Sequence, residues 1–226
     1  MSDASELVRR RFLDERRAIC ERRMDTVHAP VYDQRWGSYI NDTHREFVQA
    51  LAERLEPGAT VLDAACGTGK YWEILLSAGL EVVGIDHSDG KVQVARRKHP
   101  DVPVSRGSLQ DLHLRTDLGS AMDGLLCVDA LENVGPEDWP IVVHGLAAVL
   151  RPGAPAYVTV ELAGDEIVMD DDAETAPLVA GEVLESGGYH FYPSPDQARA
   201  WLTRDHLEVS VEAEGDGYHH FLLRRP

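Results

Sequence analysis

The stretch VLDAACGTGK, residues 61–70, poses the first chemical question of this chain. An apolar run ends near Asp63, and Gly67 and Gly69 bracket Thr68 just after it. Glycines at a strand end let backbone N–H groups approach a ligand that side chains would hold off. Two phosphate-binding patterns can be tested on the spacing. A P-loop needs G-x4-G-K-[ST], but Ala64 stands at the first glycine position and Tyr71 follows Lys70 where a hydroxyl should sit on magnesium. A dinucleotide loop needs G-x-G-x-x-G, and its third glycine position is Trp72, an indole that would block a pyrophosphate.

What remains is a ligand without phosphate that needs close backbone approach at one point and carboxylates at two. Asp63 can serve an ammonium, directly or through the loop, and Asp86, which ends the apolar run EVVGID (81–86), can accept both hydroxyls of a ribose. A polar stretch, GSLQDL (107–112), follows a third run. S-adenosylmethionine, with a sulfonium, an amino-acid head and a ribose diol, has these requirements.

Those residues need strand ends to stand on, and the hydrophobic pattern supplies them. Strands are expected at TVLDAA (60–65), EVVGID (81–86), VPVSRG (102–107), MDGLLCVDAL (122–131) and APAYVTVEL (154–162), with helices at about 71–78, 90–100 and 140–150 between them. Short apolar strands alternating with helices predict a parallel sheet covered on both faces. HREFVQALAERLEPG (44–58) reads as an amphipathic helix ended by Pro57-Gly58. Residues 5–28 read as a charged helix with a thin apolar stripe of Leu7, Val8, Phe12 and Ile19, its arginines forming a solvated face. HLEVSVEAEGDGYHHFLLRR (206–225) reads as a hairpin turning at Gly215-Asp216-Gly217, so the sheet ends antiparallel. Ser194-Pro195-Asp196 opens the last helix. The fold class expected is α/β: a doubly wound, mostly parallel seven-stranded sheet with an antiparallel edge strand. Residues 1–43 are expected to form a helical cap, and 44–226 a Rossmann-like domain with an acidic, irregular lid at 163–193.

The composition narrows the partners. The formal net charge of −17 argues against a nucleic-acid footprint. The three cysteines are scattered, with no CxxC, which suits a reducing cytoplasm. No apolar run has membrane length, and no compact metal-ligand spacing occurs, so neither a membrane nor a metal partner is expected. Oligomeric state is not legible.

Residues 44–161 resemble the class I S-adenosylmethionine-dependent methyltransferases of the small-molecule type, on VLDAACGTG, VVGIDHSDGKVQVAR, RGSLQDL, MDGLLCVDALENV and LRPGAPAYVTVE. The resemblance implies that Asp63, Ala65, Gly67, Thr68 and Gly69 line the methionine and ribose side. It implies that Asp86 takes the ribose, that His87 lies beside the adenine, and that Ser108, Leu109 and Gln110 ring the adenine edge. Cys127, Val128 and Asp129 would pass under the sulfonium, and Tyr32 and Trp36 would fold over the cofactor. Ala65 replaces a glycine usual in the family, and Ser108 stands where an acidic residue is common.

In an open α/β sheet, ligands bind beyond the carboxyl ends of the parallel strands. That rule sends Glu132, Asn133, Tyr189, Tyr192, Tyr218 and His219 to the acceptor side as substrate-binding residues. His190, which titrates near neutrality, is the first candidate for a base and Glu161 the second. The activity expected is methyl transfer to an O or N atom of a small-molecule acceptor. The alternatives are attack at another sulfonium carbon and a non-catalytic cofactor-binding protein. The run Asp170–Asp172 reads as a solvated lid face, with attraction of a cationic acceptor as a second reading.

Overall fold

The computed structural model describes residues 3–37, 39–118, 122–164, 167–204 and 207–226. Positions 165–166 of the expected lid and His206 at the start of the expected hairpin lie outside them. Five strands run parallel: β1 (Thr60–Ala64), β2 (Glu81–Asp86), β3 (Val104–Arg106), β4 (Gly124–Cys127) and β5 (Pro155–Glu161). A small hairpin, β6 (Glu182–Glu185) and β7 (Gly188–Phe191), stands apart. The chain ends in β8 (Glu208–Gly215) and β9 (Tyr218–Arg224), and the main sheet has the order β3-β2-β1-β4-β5-β9-β8. The antiparallel strand is β9, inserted between β5 and β8 and paired antiparallel with each, so β8 is outermost.

Helices α1 (Asp3–Arg23), α2 (Asp42–Ala52), α3 (Trp72–Ser77), α4 (Asp89–Lys98), α5 (Trp139–Val149) and α6 (Pro195–Arg204) complete the domain. Successive strand residues divide between two apolar layers. Leu62, Leu125 and Phe221 pack with α5 residues Trp139 and Val142. Their neighbours Val61, Leu126 and Leu222 pack with α2 residues Phe47, Val48 and Leu51 and with Trp72. This is the period-two alternation of a sheet with both faces covered. Strand order reverses between β1 and β4, and a crevice is expected at the carboxyl ends of those two strands. Among the described residues, no helix is long and apolar enough to cross a membrane.

Two expectations need correction. The arginines of α1 do not form only a solvated face. Arg11–Glu15 and Arg17–Asp14 are local pairs, but Arg9 is buried and holds both Glu137 and Glu182. Correspondingly, Leu7 and Val8 are exposed, and the buried stripe is Phe12 and Leu13, with Phe12 edge-on to Tyr189. The expected lid is not irregular throughout. Residues 182–191 form the β6–β7 hairpin, turned at Ser186 and Gly187 with φ of 51° and 71°. That is the turn geometry glycine permits and hairpins favour.

Candidate active site

The loop after β1 takes the left-handed conformation three times, at Ala65 (φ 70°), Gly67 (φ 56°) and Gly69 (φ 80°). The two glycines serve different needs. A Cβ on Gly67 would meet nothing within 4 Å, so its backbone borders open space, whereas one on Gly69 would lie 2.6 Å from the Trp72 indole. Trp72 therefore does not block the crevice. It fills the space under the loop, and its Nε1–H donates to Asp63 at 2.7 Å. Burial pushes the Asp63 carboxyl up to about 7, the indole hydrogen bond pulls it down, and Asp86 adds to the upward shift.

Asp86 is held from both sides. Gly67 N–H donates to Oδ2 and Ser88 N–H to Oδ1, each at 2.8 Å. The carboxylate is thus oriented before any ligand arrives, and each oxygen keeps a lone pair for a hydroxyl.

Beyond these residues lies a cavity of about 310 Å³. Of the residues expected on the cofactor side, Tyr32, Trp36, Ala65, Asp86, His87, Leu109, Gln110 and Asp129 line it. Asp63, Gly67 and Val128 line a narrow extension of about 30 Å³ under the loop. Of the acceptor-side residues, Glu132, Asn133, Glu161 and Tyr218 line the main cavity. Glu161, Tyr218 and Tyr192 also line an adjoining cavity of about 500 Å³.

The remaining expected residues are turned elsewhere. Thr68 donates to Asp33 at 2.7 Å, Gly69 sits over Trp72, Ser108 caps the turn at Gln110, and Cys127 is fully buried. Tyr189 donates to Glu182 at 2.5 Å in the Arg9 cluster. His219 faces Glu212 and Glu214 of β8, on the side of the strand opposite Tyr218. His190 stacks on Tyr192 at 5.9 Å and does not line the main cavity. Burial lowers the His190 pKa, so the ring is neutral at neutral pH. The sequence rule placed whole loops at the strand ends. It could not say which side of a strand or hairpin each residue would occupy, and that alternation separates His219 from Tyr218.

Cys20, Met24 and His28 line the cavity but carried no sequence signal. Met24 and His28 fall four apart in line with the expected Tyr32 and Trp36, and all four face the cavity. The chain stays in register because Met24–His28 and Asp33–Gly37 are wide π-turns, which α-helical spacing alone would not predict. The segment is pinned by two aspartates. Asp25 accepts from Ser88 Oγ at 2.6 Å and from Gly90 N–H at 3.0 Å, while Asp33 accepts from Thr68. Gly90 permits the contact, since a Cβ there would lie 2.8 Å from Ala29. Lys70 and Lys91 also line the cavity, Lys91 over the Tyr32 ring at 4.7 Å.

The end of the cavity toward Glu161 and Tyr218 is acidic. Burial, then Asp129 and Glu185, pushes Glu161 up to about 7. Burial, then Asp129 and Glu161, raises Glu132 well above the carboxylate range. Tyr218 is held protonated by burial and by the neighbouring Asp129. Asp129 itself sits at φ 56°, its N–H donating to Thr159 Oγ1 at 3.0 Å.

The methyltransferase domain family matches residues 61–153, the segment from β1 through α5 that carries the glycine loop, Asp86 and Asp129. The chain has the class I methyltransferase fold, a mostly parallel seven-stranded sheet with β9 antiparallel. It is similar to the dTDP-4-amino-2,3,4,6-tetradeoxy-D-glucose N,N-dimethyltransferase of Saccharopolyspora spinosa, 32% identical over 58% of this chain and 53% of the relative. A ubiquinone biosynthesis O-methyltransferase of Xanthomonas axonopodis pv. citri is 28% identical over 75% of this chain and 70% of the relative. The match to the first of these thus spans about half of that relative's own length. Among solved folds, the magnesium protoporphyrin IX methyltransferase of Synechocystis PCC 6803 with bound SAM superposes with a TM-score of 0.66 at 15% identity, over 93% of this chain and 97% of that one.

Proposed function

We propose that this methyltransferase binds S-adenosylmethionine in the cavity beyond β1, β2 and β4 and transfers its methyl group to an O or N atom of a small molecule. The observation that carries the reading is Asp86, a carboxylate fixed by two backbone N–H groups at the cavity wall, beside a glycine whose Cβ position is open. A ribose diol fits that pair of acceptors. Leu109 and Gln110 flank the adenine, and Tyr32 and Trp36 cover the cofactor from residues 1–43, which act as a cap. Asp63, with Trp72 behind it, and Asp129 serve the ammonium end, and Lys70 the carboxylate end. The acceptor lies toward Glu161 and Tyr218, where the adjoining cavity opens. A soluble small-molecule enzyme of the cytoplasm accords with the strongly acidic chain and three unpaired cysteines.

The sulfonium supplies an already activated methyl group. The protein's part is to orient the two reactants and exclude water. Asp86 and the cap fix one reactant, and the acidic end fixes the other. Where the acceptor must lose a proton, Glu161 is placed to take it, since its raised carboxyl exchanges protons near neutral pH. Of the two candidate bases named from sequence, Glu161 lines both cavities and His190 does not line the main one. Titration calorimetry tests the reading: S-adenosylhomocysteine should bind saturably and NAD and ATP should not. Saturable NAD binding without S-adenosylhomocysteine binding would sink it.

A further inference from the structure

Glu132 has a demand that the protein does not meet. It follows β4, is 7% exposed, and lines the main cavity. Its Oε1 accepts from Asn133 Nδ2 at 2.7 Å, but Oε2 is buried with no hydrogen-bond partner. Burial beside Asp129 and Glu161 keeps Glu132 a neutral carboxyl, and a buried carboxyl oxygen without a hydrogen-bond partner is costly and rare in native structures. The partner, and the positive charge that would let Glu132 ionise, have to come from whatever fills the cavity.

The surrounding charge fixes what kind of donor that is. Asp129 and Glu161 both burden Glu132, and the offsetting effect of Lys91 is smaller than either. Glu185 adds to the charge at Glu161. An anionic occupant would be repelled, and a phenol or enol would develop negative charge among carboxylates just as it reacted. A sulfonium is positive but has no hydrogen to donate, so it cannot satisfy Oε2. A protonated amine meets both requirements, with N–H donors for Oε2 and positive charge for the group.

We propose that the acceptor of this methyltransferase is a small molecule bearing an aliphatic amine, seated between Glu132 and Glu161 beside Tyr218. This rests on the methyltransferase reading above and narrows it to nitrogen. The amine enters as an ammonium ion and gives one proton to the Glu161 carboxylate. Its freed lone pair forms the N–C bond to the methyl carbon as the C–S bond breaks, and that bond's electron pair stays on sulfur. The products are a methylated ammonium ion and a neutral thioether, and Glu161 returns its proton to solvent. Glu132 is the binding group, keeping its contact to a hydrogen that stays on the nitrogen.

The test uses matched acceptors that differ only in NH2 against OH: cyclohexylamine and cyclohexanol, benzylamine and benzyl alcohol, glucosamine and glucose. Each is incubated with the protein and S-adenosylmethionine, and S-adenosylhomocysteine formation is followed. The amine members should react faster than their hydroxyl partners by about tenfold or more, the scale of a hydrogen bond to a charged group. Glu132→Gln, and separately Glu161→Gln, should erase most of that preference. Both variants should bind S-adenosylhomocysteine within about threefold of the parent, the scatter expected when no direct contact is lost, which also certifies their folding. Equal or better use of the hydroxyl members, turnover of neither class, or a preference surviving both substitutions overturns the proposal. So does a Glu132→Gln protein that loses cofactor affinity as severely as amine use, because Glu132 would then serve the cofactor. Failure of the parent protein to bind S-adenosylhomocysteine would sink the methyltransferase reading itself; binding without amine preference sinks only the amine.

Discussion

Replacing Asp86 with alanine should have two separable effects, because on the proposed reading the carboxylate both holds the loops and takes the ribose. Its oxygens accept Gly67 N–H and Ser88 N–H at 2.8 Å, and the residue is 5% exposed. Asp86→Ala strands two buried donors at about 1–3 kcal/mol each. For a chain of this size, 1 kcal/mol moves the melting temperature by about 2–4 °C, so a fall of roughly 4–24 °C is expected without ligand. The second effect is on binding. Loss of the hydrogen bonds to the ribose should weaken S-adenosylhomocysteine by about 1.5–3 kcal/mol, or ten- to hundredfold. At ligand equal to one hundred times the parent Kd, the parent gains about 2.7 kcal/mol of stability. A tenfold weaker variant gains only about 1.4 kcal/mol under the same conditions. Asp86→Asn keeps one acceptor but turns an NH2 group toward the other N–H, so it should fall between the two. Calorimetric titration and melting curves with and without ligand read both effects. A folded Asp86→Ala protein that binds S-adenosylhomocysteine at parental affinity would place the ribose elsewhere and refute the site.

Three further outcomes follow from neighbouring geometry. Gly69→Ala would force a Cβ to within 2.6 Å of the Trp72 indole at φ 80°, so it should lower stability and cofactor affinity together. Gly67→Ala, with open space at its Cβ, should cost only the roughly 1–2 kcal/mol of the left-handed backbone; equal melting temperatures for the two variants would contradict the packing described. Arg9→Ala leaves the Glu182 carboxylate buried and unpaired and should destabilise by about 3–5 kcal/mol in urea unfolding; a loss below about 1 kcal/mol would mean the cluster does not anchor α1. Asp63 is an acid whose folded pKa, about 7, lies above its unfolded value. Its contribution is therefore present at low pH and lost as pH rises from about 4 through 7. Asp63→Asn retains an acceptor for Trp72, so its stability should gain on the parent by roughly 4 kcal/mol across that window; a pH-independent difference between the two would show that the carboxyl is not raised.

The sheet was legible because its causes are local. Apolar runs of strand length, glycine and proline at their ends, and Gly215-Asp216-Gly217 as a hairpin turn are properties of neighbours in sequence. Asp86 was legible for the same reason, since a carboxylate ending a buried strand has few structural uses. The cap and the lid were less so. Arg9 looks like any other arginine of a charged helix until it meets Glu182, 173 positions away. Asp25 and Asp33 find Ser88 and Thr68 only after the chain has folded back over the loops. In the hairpin of residues 182–191, β7 alternates half-buried and buried residues over only four positions and β6 is buried at three in a row, so no period declares itself.

The same division separates the two ends of the site. The proposed cofactor side is built by loops that leave neighbouring strands of one sheet, so one topological rule gathers Asp63, Asp86 and Asp129 at one rim. The proposed acceptor side is assembled from the end of β5, the start of β9, the segment after β4 and the N-terminal π-turns. α1 is tied to the hairpin of residues 182–191 through Arg9, and the π-turns that follow it are tied to the domain through Asp25 and Asp33. Cys20, Met24 and His28 thereby line the same cavity as Glu132 and Glu161. On the proposed reading, specificity for the acceptor is then adjustable in the cap and the lid, while the loops proposed to hold the cofactor stay as the sheet sets them.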